Sequence, residues 1–449
     1  MRVCIVNEFF YPDETGGTGM VLSELAAALR RDFPSVQIDV VTSVNLYRDQ
    51  SARLDAYEEW EGTRIFRLGT PHAGFRSTRH RLMVNARFGM AALGKLLQLG
   101  RYDLVLIGTA PPTLAMAASA YKRLTKTPYL YVVYDLDPDR AVRMGVLPAH
   151  SPVTRLLRRW QKSWMQKADQ VIVLGRCMRE YVLSQYNLPP EQVQVIPIGG
   201  DHEAIRSLSP CTRFRAAHKL SGFVVCYSGN FGRYHDFDTV LDAAKCLLGT
   251  EPTVQFVLVG GGAQKEHIER RVREENISNV KVLPFVPKEE YSDLLASADV
   301  SLVTLEPGME GLCVPSKFYS ILASGRPTIA TVSAGSEVAR VLVEADCGLQ
   351  MVQGDIVGLV GALTHLLHHP AEARRMGRNA RAVLEERYTN HHVAALYHQA
   401  MCRSTGSVHS PAMPPHSPTR IPSNAVLRFA SPGDAEKSAS AAGRTVGPD

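Results

Sequence analysis

Short β-branched and aliphatic runs alternate with amphipathic stretches almost from end to end of this 449-residue chain. The runs predict strands over residues 3–6, 37–41, 64–68, 104–107, 129–134, 170–174 and 194–196, then over 224–228, 254–259, 280–283, 300–305 and 328–331. Between them the apolar positions fall at helical spacing. In GMVLSELAAALRR, Val21, Leu22, Leu25, Ala26 and Leu29 share one face, with Thr18 as the expected N-cap. DFDTVLDAAKCLL, AQKEHIERRVREEN and KEEYSDLLASA read the same way. Strand–helix alternation of this length predicts parallel sheets covered by helices on both faces.

One sheet holding all of these strands would be unusual. The pattern therefore predicts an α/β chain of two doubly wound domains. The irregular stretch 199–214 leads into a fresh strand and marks the seam. It gives a first domain over 1–205 and a second over 206–385. A helix over 386–403 closes the globular part. Residues 404–449, rich in Ser, Pro, Ala and Gly without an apolar period, read as a disordered tail.

Composition narrows the classes. Hydrophobic residues make up 45% of the chain, ample for real cores, and a net charge of +6 is too even a balance for a nucleic-acid binder. The eight cysteines are scattered, with no C-x-x-C pair and none beside a histidine at ligand spacing. This argues against a disulfide framework or zinc, and for a reducing compartment. The opening MRVCIVNEFFYP is too short an apolar run for a signal peptide, and no run reaches the ~20 residues of a membrane span. The expectation is a cytoplasmic protein, at most peripheral on the inner face of a membrane.

Three loops of the second half follow strand ends, where open α/β sheets bind ligands. In YSGNFGRYHD, Gly229 and Gly232 let backbone N–H groups approach an anion, and Arg233 offers a planar cationic fork. VGGGAQ, with Gly260, is a tight turn into a helix. In EGLCVPSKFYSILASGRP, Pro315 stands at a helix entrance, Ser316 and Lys317 open the helix, and Gly325 and Pro327 end it. A lysine in a first helical turn is disfavoured by the helix dipole. Either Lys317 faces solvent, or an anion sits at that helix end. Arg233 and Lys317 could then converge on one diphosphate.

The ordered motifs YSGNFGR, VLVGGGAQ, VKVLPFVPKEEY, ADVSLVTL, VPSKFYSILASGRPTIA and CGLQMVQGD resemble the retaining glycosyltransferases of family 4. NEFFYPDETGGTGMVLSELAAALRRD and YDLDPDRAVRMGVL are similar to the branch that builds bacterial surface polysaccharides. The likeness runs over residues 1–401. It implies the GT-B arrangement: two Rossmann-like domains facing across a cleft, donor on the second, acceptor on the first, and a closing helix crossing back. It further implies that Arg233 and Lys317 hold the donor diphosphate, with Gly229, Asn230, Gly260, Pro315 and Ser316 lining that site. Phe285 would lie against the base. Of two family glutamates, the one touching the sugar corresponds to Glu310, and the one holding the ribose falls at Ser320, where this chain has serine.

Asp135 and Asp137 form a D-x-D pair, but remote in sequence from the phosphate loops. The reading is Asp135 as a cleft-lining residue near the acceptor, or as a turn residue before Pro138, with no metal and no cofactor. Gly16 and Gly17 come after a long loop rather than directly after the first strand, which weakens a dinucleotide reading. The resemblance places them against the donor sugar or the acceptor. Two basic, apolar stretches, 76–101 and 154–169, fit either a lipid-facing helix or a domain helix with one solvated face. The expected partners are a nucleotide sugar and a glycan or polyprenyl-linked acceptor, with no nucleic acid. A catalytically weakened nucleotide-sugar-binding subunit and a sugar epimerase are the competing readings.

Overall fold

The apolar runs become the strands of two sheets in the computed structural model, which describes residues 1–13, 17–46, 53–69, 78–207, 209–210 and 212–407. The first sheet holds β1 (Arg2–Val6), β2 (Gln37–Ser43), β3 (Tyr57–Trp60), β4 (Thr63–Leu68), β5 (Leu104–Ile107), β6 (Tyr129–Val133), β7 (Gln170–Val173) and β8 (Val193–Val195). Their order is β3-β4-β2-β1-β5-β6-β7-β8, parallel except for β3. The second sheet holds β9 (Phe223–Asn230), β10 (Val254–Gly261), β11 (Val280–Leu283), β12 (Val300–Thr304), β13 (Thr328–Thr331) and β14 (Gly348–Met351). Its order is β11-β10-β9-β12-β13-β14, parallel throughout.

LVLI of β5 and YLYVV of β6 are buried at every position, because helices cover both faces of a parallel sheet. Two edge strands are absent from the sequence-based expectation. YEEW of β3 alternates between exposed and half-buried and pairs antiparallel with β4. The turn joining them, Glu61-Gly62, has φ of 49° and 70° at its two residues, the mirror-image geometry that suits a tight hairpin. β14 is four residues long and closes the far edge of the second sheet.

The helices of the first half are α1 (Gly17–Asp32), α2 (Thr78–Leu99), α3 (Leu114–Thr125), α4 (Asp139–Arg143), α5 (Pro152–Lys167) and α6 (Arg176–Tyr186). Right-handed crossovers put α2, α3, α5 and α6 on one face of the first sheet, because each steps the same way across it. α1 steps the opposite way and lies on the other face. It buries Leu22, Leu25, Ala26 and Leu29, while Val21 is half-buried. Thr18 is not its N-cap: the helix already includes Gly17, so Thr18 stands in the first turn.

The second half adds α7 (Arg213–Ala217), α8 (Phe237–Thr250), α9 (Lys265–Glu274), α10 (Lys288–Ala296), α11 (Lys317–Ser324), α12 (Glu337–Ala345), α13 (Ile356–His368), α14 (Pro370–Arg387) and α15 (Asn390–Thr405). The chain crosses between the halves twice, side by side. The Gly200 N–H donates to the Tyr388 carbonyl at 2.8 Å, and a Cβ on Gly200 would sit 2.9 Å from the Tyr319 carbonyl oxygen, so only glycine fits there. Arg381 donates to the carbonyls of His202, Ile205 and Ala323, pinning α14 to both the linker and α11.

α15 then packs on the first half. Asn390 reaches Glu24 at 3.4 Å, and the rings of Phe33 and His398 stack 4.0 Å apart. The helix runs to Thr405, two residues beyond the expected 403. The expected tail from 408 onward lies outside the described residues. Two ion-pair groups also bridge the halves. Arg176 of α6 pairs with Glu337 and Glu344 of α12, and Arg340 of α12 pairs with Glu180 of α6.

Candidate functional site

The C-terminal edges of the two sheets face each other. Asp135, just past β6, bridges Cys313, and Leu136 N–H donates to the Leu312 carbonyl at 2.9 Å. A Cβ on Gly17, at the start of α1, would lie 3.9 Å from Ser316 Oγ. The stretch from Glu310 to Pro315 therefore lies between the first half's strand ends and α11. Gly16 lies outside the described residues.

Lys317 extends from the first turn of α11 to the end of β9. Its Nζ donates to the Tyr227 hydroxyl and lies 3.7 Å from the centre of that ring. A Cβ on Gly229 would be 3.1 Å from Lys317 Cε, so the glycine makes room for the lysine stem. Among the described residues Lys317 has no carboxylate partner. Burial pulls its ammonium well below the ordinary lysine range. The same charge, after burial itself, holds the neighbouring His235 well below the usual imidazole value. His235 Nδ1 is anchored 2.5 Å from the Thr304 carbonyl. No side chain caps the N-terminus of α11, where Ser316 is the N-cap residue. The result is a helix N-terminus and a cation short of counter-charge, in one place.

The glycine loops are fitted to one another. A Cβ on Gly260, at φ 154°, would run into the Gly229 carbonyl oxygen, so the ends of β9 and β10 approach more closely than any side chain permits. Phe231 N–H donates to the Gly261 carbonyl at 2.7 Å, and Gln264 clasps the carbonyls of Gly232 and His235. The Asn230 carbonyl accepts from the Tyr227 hydroxyl at 2.9 Å while its side chain is exposed. Arg233 is exposed, with no ion pair or hydrogen bond among the described residues. The half-buried Phe285 ring lies over Gly261, 3.2 Å from where a Cβ would be.

Glu310 is half-buried and accepts from the Ser333 hydroxyl at 3.0 Å. Asp135 and Asp137 both pair with Arg140, at 2.5 and 3.0 Å. Burial raises the Asp135 carboxyl above its ordinary range, against the pull of Arg140. The acid pair thus already faces a guanidinium, whose other neighbour is the Tyr234 ring at 6.0 Å. Among the described residues no group of three His, Cys, Asp or Glu is disposed to hold a metal ion.

Ser320, one turn along α11 from Lys317, shares a cluster of hydroxyls with Ser228 of β9 and Tyr291 of α10. Burial raises the Tyr291 phenol, and the neighbouring Ser320 and Ser228 hydroxyls pull the other way. Tyr227, Tyr291 and Arg140 did not emerge from sequence reasoning. Tyr227 and Tyr291 each stood inside a motif read for its other residues, and Arg140 stands three residues after Asp137. Glu24 lies close enough to Tyr291 for its charge to be felt there. Burial, then Asp201, pushes the Glu24 carboxyl up to about 7. It lines a separate cavity of about 180 Å³ beside the stacked rings of Tyr11 and Trp60.

Comparison with known proteins agrees with this geometry. Residues 16–199 match the glycosyl transferase 4-like domain, and residues 211–383 match the glycosyl transferases group 1 family. The chain is 28% identical over 292 residues to "Probable glycosyltransferase WbjE" of Pseudomonas aeruginosa, covering 65% of this chain and 72% of that one. It is 26% identical over 285 residues to the MMP α-(1→4)-mannosyltransferase of Mycolicibacterium hassiacum, covering 58% and 66%. Among solved structures, sucrose-phosphate synthase of Thermosynechococcus elongatus superposes with a TM-score of 0.73 at 20% identity, over 90% of this chain and all of that one. Anabaena HepE in complex with UDP-glucose superposes at 0.66 and 15% identity, over 91% and 100%. At these identities the superpositions establish the GT-B fold.

Proposed function

The chain belongs to the glycosyltransferases of family 4, and from that premise we propose that it moves a hexose-type sugar, with retention, from a nucleotide diphosphate donor to a glycan or polyprenyl-linked acceptor. It is a transferase, and a relative from Escherichia coli is named "Putative colanic acid biosynthesis glycosyl transferase WcaI". The observation that carries the finer reading is Lys317. It is a half-buried cation at an uncapped helix N-terminus, beside Gly229, with no carboxylate partner among the described residues. A donor diphosphate supplies the missing charge.

In this reading the bond from the anomeric carbon to the diphosphate oxygen breaks as the acceptor hydroxyl forms its bond on the same face. The hydroxyl proton leaves with the departing diphosphate. Negative charge grows on that diphosphate in the transition state, and Lys317, the first N–H groups of α11 and the exposed Arg233 are the groups proposed to stabilise it. Glu310 is proposed to touch the sugar, and Asp135 to line the acceptor side of the cleft. Gly17 is proposed to close the cleft over the sugar, facing Ser316. The Tyr291, Ser320 and Ser228 hydroxyls are proposed to bind the ribose where relatives use a glutamate. Support for a nucleotide diphosphate donor comes from solved structures of this fold carrying UDP-glucose, UDP-2-fluoro glucose or ADP.

The test is nucleotide release from a panel of UDP- and GDP-sugars, with and without a membrane-lipid extract. Release that needs both one donor and the extract is the expected result. Donor binding without release under any acceptor would favour a nucleotide-sugar-binding subunit, and conversion of the donor sugar without acceptor would favour an epimerase.

A further inference from the structure

We infer that the outer helical layer of the first domain, led by α5, docks on an anionic lipid bilayer. α2, α3 and α5 lie on one face of the first sheet and together contain eleven Lys or Arg and not one Asp or Glu. The whole chain carries only +6, so positive charge is concentrated on this face rather than spread evenly.

The same layer exposes large apolar side chains. On α5, Val153, Leu156 and Trp160 are 51%, 45% and 46% exposed and fall at i, i+3 and i+7, a single stripe. The opposite side of the helix is its packed one, with Thr154, Gln161 and Met165 buried. Arg155 and Arg159 flank the stripe, exposed and without an ion pair among the described residues. Arg158, by contrast, is turned to Asp139 at 2.6 Å. On α2, Met83, Arg87, Met90 and Leu97 repeat the arrangement. Basic residues flanking an exposed apolar stripe that contains Trp are the requirements of a helix lying in the headgroup region.

A second copy of this chain is the poorer occupant, because a two-fold contact would set one net-basic face against another. α5 begins at Pro152, shortly after α4 and the Asp135 loop, so the stripe lies at the cleft end of the layer. Docked this way, the cleft opens close to the bilayer surface. This deepens the polyprenyl-linked acceptor and rests on that reading only for its purpose, since docking needs neither donor nor transfer.

The experiment is co-sedimentation of the purified chain with sucrose-loaded vesicles of phosphatidylcholine, with and without 30% phosphatidylglycerol. Expected are binding to the anionic vesicles alone, release by 0.5 M NaCl, and about thirtyfold weaker partition for Arg155→Gln with Arg159→Gln. Trp160→Ser is expected to weaken it as well, with donor binding unchanged in both variants. Equal binding of both variants and wild type, or no binding to anionic vesicles, would overturn the inference. So would a dimer in sedimentation velocity that Trp160→Ser dissolves. Failure of nucleotide release with intact vesicle binding would instead count against the transfer reaction.

Discussion

The Lys317 ammonium rests 3.7 Å from the centre of the Tyr227 ring and is hydrogen-bonded to that residue's hydroxyl, not to a carboxylate. A phenol and a π-face solvate a cation only partly. This site therefore holds positive charge at a cost, and an anionic ligand relieves it.

Lys317→Met is expected to lower turnover by about 100-fold or more, the usual effect of removing one donor to a developing oxyanion. The melting temperature should hold or rise, since the variant removes a half-buried cation that lacks a carboxylate partner among the described residues. Steady-state kinetics alongside thermal unfolding check this; unchanged turnover in a folded variant would remove Lys317 from the diphosphate site.

The depressed Lys317 pKa gives a second signature. Where the free protein holds Lys317 neutral, a bound diphosphate draws a proton onto it. Nucleoside diphosphate binding should then take up protons, and affinity should fall as pH rises. Calorimetry in two buffers of different ionisation enthalpy reads the uptake directly, and Lys317→Met should abolish it.

Tyr291→Phe and Ser320→Ala each remove one hydroxyl from the cluster on α10 and α11. Each is expected to raise the donor KM roughly fivefold, the value of one neutral hydrogen bond, with kcat nearly unchanged. A fall in kcat at constant KM would separate the cluster from ribose binding.

Arg140 holds both acids of the D-x-D pair. Arg140→Ala should destabilise the fold by about 2 kcal/mol, because two partly buried carboxylates lose their partner. It should also raise the Asp135 pKa further. If transfer needs Asp135 ionised, the acid limb of the kcat/KM profile moves to higher pH. Arg140→Lys should recover part of both effects.

Glu24 has a folded-state pKa of about 7 against an ordinary 4.5. Between those values the folded chain holds a proton that the unfolded chain does not. The stabilisation is therefore full below about 4.5 and lost as pH rises through 7. Glu24→Gln should flatten this dependence and gain roughly 3 kcal/mol over wild type at pH 8. Urea unfolding from pH 5 to 8 checks it; parallel curves would show that Glu24 does not titrate in that window.

What was legible in the sequence follows the physics of burial. Inner strands announce themselves because both faces are covered, so β5, β6 and β13 lie within the bounds their apolar runs predict. β3 was not legible, since an edge strand with one open face carries two glutamates and depends on its partner and turn. At the site, Lys317 was legible as an anomaly of helix electrostatics. Arg140 and Tyr291 were not, because their importance comes from where the fold puts them: one beside two acids, the other beside two serines on separate elements. Whether Thr18 could cap α1 depended on where the helix begins, and helix starts are the least certain feature of a periodic pattern.

The helix that completes the first domain is the last element made among the described residues. α15 covers α1, and Asn390 meets Glu24 across 366 positions of sequence. At ordinary elongation rates α1 waits roughly 20 to 70 seconds for that cover. Until then the domain is nearly complete in sequence yet has an open apolar flank, so the nascent chain depends on a chaperone or on its own slow exit for protection. A fragment cut in the linker at residue 205 would carry that flank permanently, and should be soluble only when α15 is supplied as a separate peptide.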